Sequence, residues 1–181
     1  MEFAAENARS DRKIWANHGW NIEYTIDFTS PSGRPATLES QSKKNLRAVF
    51  ALHGFARPLE DFTSFSQAWP EQCAFISVHL PHHGKSGPDL ETRPLDDAIE
   101  PERLLKILSE IAFHEGVSAS KPDLIGYSIG GRIALSLIAE DPKKWNRIVL
   151  LAPDGLKQSP FYRLTVHTQL GKALWFAIDT H

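Results

Sequence analysis

Gly126-Tyr127-Ser128-Ile129-Gly130-Gly131 decides how this chain reads, because the hexapeptide joins two segments of different period. Before it, Leu124 to Tyr127 is a short apolar strand pattern. After it, Ile129 to Glu140 carries Ile129, Ile133 and Leu137 on one helical stripe. The six residues match G-x-S-x-G, a strand-to-helix turn that is strained at its serine. Gly126 and Gly130 remove Cβ atoms that would clash in so tight a turn. Such a turn lifts the Ser128 hydroxyl above the sheet, and the N-terminus of the following helix directs its partial positive charge at the same place. Ser128 is therefore the candidate nucleophile.

Working outward, Asn21 to Thr29 alternates, with Ile22, Tyr24, Ile26 and Phe28 on one face of a half-buried strand. Ser30-Pro31-Ser32-Gly33 reads as a turn and Ala36 to Gln41 as a second strand, the two suiting an antiparallel edge. Leu46 to Leu52 and Ala74 to Leu80 are nearly continuous apolar runs, as expected of strands covered on both faces. They end in His53-Gly54-Phe55 and Pro81-His82-His83-Gly84. A short helix is expected over Asp61 to Trp69, then a Pro-, Gly- and charge-rich loop over Lys85 to Asp97. Pro101 suits a first helical turn, and Leu104, Leu108 and Ile111 recur at helical spacing over Glu100 to His114. Asp141-Pro142 stops the helix after Ser128, and Arg147 to Ala152 is one more buried strand, closed by Pro153-Asp154-Gly155. Strands alternating with helices predict an α/β fold with a mostly parallel sheet, right-handed crossovers, and chemistry at the carboxyl ends of the strands. Those ends carry His53-Gly54-Phe55, His82-His83, Ser128 and Asp154.

The 181 residues suit one domain able to bury its own core. A formal net charge of −2 gives no reason to expect nucleic acid or an anionic membrane as partner. Cys73 is the one cysteine, so the chain forms no internal disulfide and no thiolate metal site. No apolar run approaches the roughly 20 residues of a membrane span, and Met1 to Lys13 lacks the apolar segment of a secretory signal. The cytoplasm is the expected compartment. His79, His82 and His83 invite a metal reading, but no carboxylate cluster accompanies them, so neither metal nor cofactor is expected. Gly84-Lys85-Ser86 looks like the end of a phosphate-binding loop, yet that motif needs a glycine where this chain has His79. Trp15 and Trp20 read as core or edge packing, with no basic residues interleaved to make a base-stacking surface.

Acyl transfer needs preorganised N–H donors for an oxyanion. One is expected from the Ile129 N–H, beside the serine. The other is expected from the loop after Leu52, where Gly54 allows close approach and the Phe55 N–H is the best-placed donor.

The order Leu52-His53-Gly54-Phe55, Leu80-Pro81-His82-His83-Gly84-Lys85-Ser86, Gly126-Tyr127-Ser128-Ile129-Gly130-Gly131 resembles that of the α/β-hydrolase superfamily, over roughly Asn21 to Gly155. The three segments look like its oxyanion loop, the loop after its fourth strand and its nucleophile elbow. The chain is most similar to small esterase- and peptidase-like members; the related dehalogenases and epoxide hydrolases place an aspartate at the elbow. The family's Gly-His-Gly loop has His82 in place of its first glycine, which would crowd that loop.

The family's chain order is Ser, then Asp or Glu, then His, the acid following the seventh strand and the histidine the eighth. Residues after Gly155 are too few for two further strand-and-crossover units of roughly 30 residues each. The expected architecture is therefore a hydrolase core over 1–155, truncated after about the sixth strand, with 156–181 as the start of a helical lid. Phe161, Tyr162, Leu164, Leu170, Leu174 and Trp175 supply apolar surface for that lid. Asp154 reads as a turn residue, and neither His167 nor His181 matches the family's position.

The resemblance implies a serine hydrolase acting on an ester, amide or thioester of a small hydrophobic acyl compound through a Ser128 acyl-enzyme; an acyltransferase would share every feature. The alternative is a non-catalytic hydrolase-like fragment without the triad acid and histidine, associating with a second copy through an unpaired sheet edge.

Overall fold

The apolar runs on either side of the 53–72 segment lie at the centre of one sheet in the computed structural model of the protein, which describes residues 11–29, 43–95 and 97–154. In chain order the strands and helices are β1 (Lys13–Asn17), β2 (Trp20–Phe28), β3 (Arg47–Leu52), a 3-10 turn (Leu59–Phe62) running into α1 (Thr63–Ala68), β4 (Cys73–Val78), the two-residue β5 (Gly87–Pro88), α2 (Pro101–His114), β6 (Ser118–Tyr127), α3 (Ile129–Glu140) and β7 (Ile148–Leu151). The sheet order is β1-β2-β4-β3-β6-β7, with β5 added to β2. β3 pairs parallel with β4 and with β6, and β6 parallel with β7. β2 is antiparallel to β4 and to β1. The sheet is mostly parallel with an antiparallel margin, as the alternation of strand and helix patterns predicts.

β4 is buried at all six of its residues and β3 at five of six, which is why neither alternates in sequence. Alternation survives instead in where the side chains go. Ala48, Phe50 and Leu52 join the larger core beneath α2 and α3, while Val49 and Ala51 join a smaller one with Phe62, Phe75 and Ile125. Phe50, Phe75 and Leu108 are fully buried, each contributing roughly 1.5–3 kcal/mol by leaving water. Pro101 opens α2 where its missing N–H costs nothing, and Leu104, Leu108 and Ile111 face the core.

Five expectations change. The strand expected to be buried over Arg147 to Ala152 is β7, which lies at the end of the described strand order with no buried residue and with Ile148 exposed. β1 has a single buried residue, Trp15, so no period betrays it in sequence; it is held by its ladder to β2. β2 is consequently not an outer strand, and its middle is buried on both faces, Glu23 and Thr25 included. The Lys85 to Asp97 loop contributes β5 to that same strand. β6 begins six residues before Leu124 and is correspondingly longer than expected. The expected strand at 36–41 and the expected lid at 156–181 lie outside the described residues. Among the described residues no helix is long and apolar enough to cross a membrane.

Candidate active site

β6 runs into α3 through one residue. Ser128 has φ 52° and ψ −118°, a left-handed backbone that an L-residue adopts only when its surroundings over-determine it. Three backbone hydrogen bonds do so. The Ser128 N–H donates to the Leu151 carbonyl at 3.0 Å, and the Ser128 carbonyl accepts from Arg132 at 3.1 Å and Asp154 at 3.0 Å. The serine is thus tied both to its own helix and to the end of β7. A Cβ on Gly126 would lie 2.6 Å from the Gly130 oxygen, and one on Gly130 would lie 2.1 Å from the Leu52 oxygen. The turn therefore requires both glycines, as the sequence motif implies, and Gly130 presses α3 onto the end of β3.

That strand end carries His53 and Gly54, both buried, and the exposed Phe55. The His53 Nδ1–H donates to the Gly54 carbonyl at 2.6 Å, and the Leu80 N–H donates to His53 Nε2 at 3.0 Å. Because Nε2 accepts, the proton resides on Nδ1. Burial drives the His53 pKa down to about 4, against an opposing pull from the Gly54 carbonyl, with His79 and His83 adding to the depression. His53 is a neutral strut between the ends of β3 and β4. The imidazoles of His79 and His83 both pack edge-on against it, with ring centroids 5.0 Å away.

Beneath lies a buried pair that the strand pattern concealed. The Glu23 carboxylate sits 2.7 Å from His79 Nδ1 and accepts the Lys85 N–H at 3.0 Å. Burial raises its pKa, but the Lys85 N–H, the His79 ring and the Arg12 guanidinium more than offset this and hold it below the ordinary carboxylate value. Glu23 falls between Ile22 and Tyr24, so alternation assigns it to solvent; its partner in β4's extension, His79, is the only hint otherwise. His82, in the place of the family's glycine, takes up a left-handed φ of 65° and turns Nε2 to the Asp97 carbonyl at 3.0 Å. The loop is accommodated by the backbone rather than crowded. His79, His82 and His83 do not converge on a point: Nδ1 of His79 is committed to Glu23, and Nδ1 of His83 faces the Pro81 carbonyl at 3.0 Å. Among the described residues no group of three or more His, Cys, Asp or Glu side chains could hold a metal.

Two cavities flank the serine. One, of about 310 Å³, is lined by Gly54, Arg57, Phe62, Phe65, Tyr127 and Leu151 among others. The second, of about 280 Å³, includes Leu80, Pro81, Ile129, Ile133 and Leu104. Tyr127 and Ile129, the neighbours of Ser128 on either side, each face one of them. No described residue accepts a hydrogen bond from the Phe55 or Ile129 N–H, and none donates a side-chain hydrogen bond to Ser128. Asp154 is exposed and meets Ser128 through its backbone only. His167 and His181 lie outside the described residues. Burial pushes the Cys73 thiol up to about 11, which leaves it no competing nucleophile.

A family model for the α/β hydrolase fold matches residues 47–177, most of the chain and all three motifs. The chain belongs to the α/β-hydrolase fold family. It is 25% identical over 126 residues to a putative 2-succinyl-6-hydroxy-2,4-cyclohexadiene-1-carboxylate synthase of Bacillus subtilis (strain 168), a match covering 70% of this chain and 43% of that protein. Among solved structures, the thioesterase domain from the curacin biosynthetic pathway superposes with a TM-score of 0.60 at 15% identity, over 95% of this chain and 55% of the other. The epoxide hydrolase CorEH gives 0.58 at 15% identity, over 87% and 49%. At these identities the structural likenesses speak to the α/β-hydrolase fold alone. The chain spans about half, or less, of the length of each of these proteins.

Proposed function

We propose that Ser128 is the nucleophile of a serine hydrolase that cleaves an ester, amide or thioester of a small hydrophobic acyl compound. The observation that carries this reading is the strained backbone of Ser128, anchored by three hydrogen bonds where β6, α3 and β7 meet. Strain of this kind costs about 1–3 kcal/mol and persists where position matters more than stability. In the reaction the Ser128 Oγ bonds to the acyl carbon, the bond to the leaving group breaks, and water then releases the acid and restores the hydroxyl. The N–H groups of Phe55 and Ile129 hold the carbonyl oxygen as it gains charge. The two cavities beside Tyr127 and Ile129 give the acyl and leaving groups separate places, and their largely apolar walls favour a small hydrophobic substrate.

The hydroxyl proton needs a base, and no described imidazole hydrogen-bonds to Ser128; His53 has both ring nitrogens engaged elsewhere. The test is labelling of the chain by a fluorophosphonate probe, beside Ser128→Ala, with p-nitrophenyl acetate turnover followed in parallel. Labelling that disappears in the variant supports the reading. Equal labelling of both proteins, or none of folded wild type, refutes it.

A second reading, a non-catalytic piece that pairs with a second copy, rests on β7, the last strand in the described order, with Ile148 exposed on it. Sedimentation as a monomer at high concentration, together with labelling of Ser128, would dispose of it.

A further inference from the structure

We infer that His53 is a positioning residue that aims the Phe55 N–H by clamping the Gly54 carbonyl from below. The Gly54–Phe55 peptide is trans, so its C=O and N–H point in opposite directions from one rigid plane. The Gly54 oxygen is held twice, by His53 Nδ1–H at 2.6 Å and by the Arg57 N–H at 3.2 Å. Fixing that oxygen therefore fixes the direction of the Phe55 N–H, which donates to no described residue. His53 is itself fixed at its other nitrogen by the Leu80 N–H, and the rings of His79 and His83 each meet its ring edge-on with centroids 5.0 Å away. Glu23 holds His79 in turn.

The tautomer is essential to the device. With the proton on Nε2 the ring would confront the Leu80 N–H with another N–H and would leave the Gly54 carbonyl facing a lone pair. A cationic ring would lose the Leu80 bond as well. Burial and two neighbouring imidazoles keep the ring neutral, with a pKa of about 4. The clamp is consequently closed throughout the range in which a serine hydrolase operates.

The use of the aimed N–H rests on the serine hydrolase reading; the clamp itself does not, and the experiment separates the two. In the full chain labelled with ¹⁵N, the one-bond couplings of His53 should place the proton on Nδ1 at pH 7. In weakly aligned samples, the dipolar coupling of the Phe55 N–H should fit the sheet frame set by the β3, β4 and β6 amides. His53→Asn keeps a donor near the Nδ1 position and should preserve that coupling. His53→Leu should shift the Phe55 coupling while leaving that of Ile129 unchanged. Fluorophosphonate labelling should fall on the order of 100-fold in His53→Leu, the size of losing one oxyanion donor, and far less in His53→Asn. A proton on Nε2, an unmoved Phe55 coupling in His53→Leu, or equal labelling losses in the two variants would each overturn the clamp. If His53→Leu does not fold, the wild-type tautomer and the His53→Asn coupling still decide it. If wild type fails to label, the serine reading falls and the couplings alone judge the clamp.

Discussion

Gly130 lies so close to Leu52 that a Cβ on it would fall 2.1 Å from the Leu52 carbonyl oxygen. The contact joins the second residue of the helix after Ser128 to the last residue of the strand before His53. Through it the candidate nucleophile and the candidate oxyanion donor become parts of one rigid unit.

Gly130→Ala should therefore destabilise the protein by more than about 3 kcal/mol, because all three obstructing atoms, the Leu52 carbonyl carbon and oxygen and the His53 oxygen, are backbone and cannot rotate away. Gly87→Ala is the control: nothing lies within 4 Å of its Cβ, and the change should be within about 0.5 kcal/mol. Urea unfolding of the two variants measures the difference. Equal midpoints would mean that α3 can withdraw from β3 at no cost.

Relief of the strain at Ser128 should be visible as stability. Ser128→Gly removes the Cβ that makes φ 52° costly, and after the added freedom of glycine in the unfolded chain a gain of about 1 kcal/mol should remain. Ser128→Ala retains the Cβ and should gain almost nothing. A thermal midpoint of Ser128→Gly at or below that of Ser128→Ala would show that the turn is not strained.

Acid should weaken the fold in two stages. His53 is neutral in the folded state down to about pH 4, whereas in the unfolded chain it takes up a proton near its ordinary 6.5. The unfolded state binds more protons between those values, so stability falls as pH is lowered from about 6.5 toward 4, by up to about 3 kcal/mol. Glu23 and Glu115, both held below their ordinary 4.5, act lower: their contribution is complete above that value and is lost as pH drops through their folded values. Urea midpoints at pH 7, 5.5 and 4.5 should decline in wild type and decline less in His53→Asn. Parallel curves for the two proteins would remove His53 as the cause.

His79→Leu should cost about 3 kcal/mol, since it strands the Glu23 carboxylate in a buried site with the Lys85 N–H and, at 3.7 Å, one Arg12 nitrogen. Adding Glu23→Gln should restore part of the loss by removing the charge. A single-variant cost below about 1 kcal/mol, by the same denaturation measurement, would mean that water reaches the carboxylate.

Patterns of neighbouring residues were enough for the parallel centre of the sheet, for α2 and α3, and for the turn at Ser128. Each of these writes a local signature: β3 and β4 are apolar throughout because both their faces are covered, α3 repeats at helical spacing, and G-x-S-x-G leaves room that only glycine provides. The resemblance to the α/β-hydrolase family came from the order of three such signatures, and the family match agrees with it.

What the chain order left undecided is whatever depends on a meeting between distant segments. β1 holds one buried residue and exists through its pairing with β2, so no period of its own announces it. Glu23 sits at a position that alternation sends to water, and is buried because β1, His79 and the 84–86 backbone close over it. The tautomer of His53 follows from an amide 27 residues away, at Leu80. Hydrophobic period is a property of one element facing one environment; the direction of a single N–H depends on which donors and acceptors the packed sheet brings to it, and only the tertiary structure decides that.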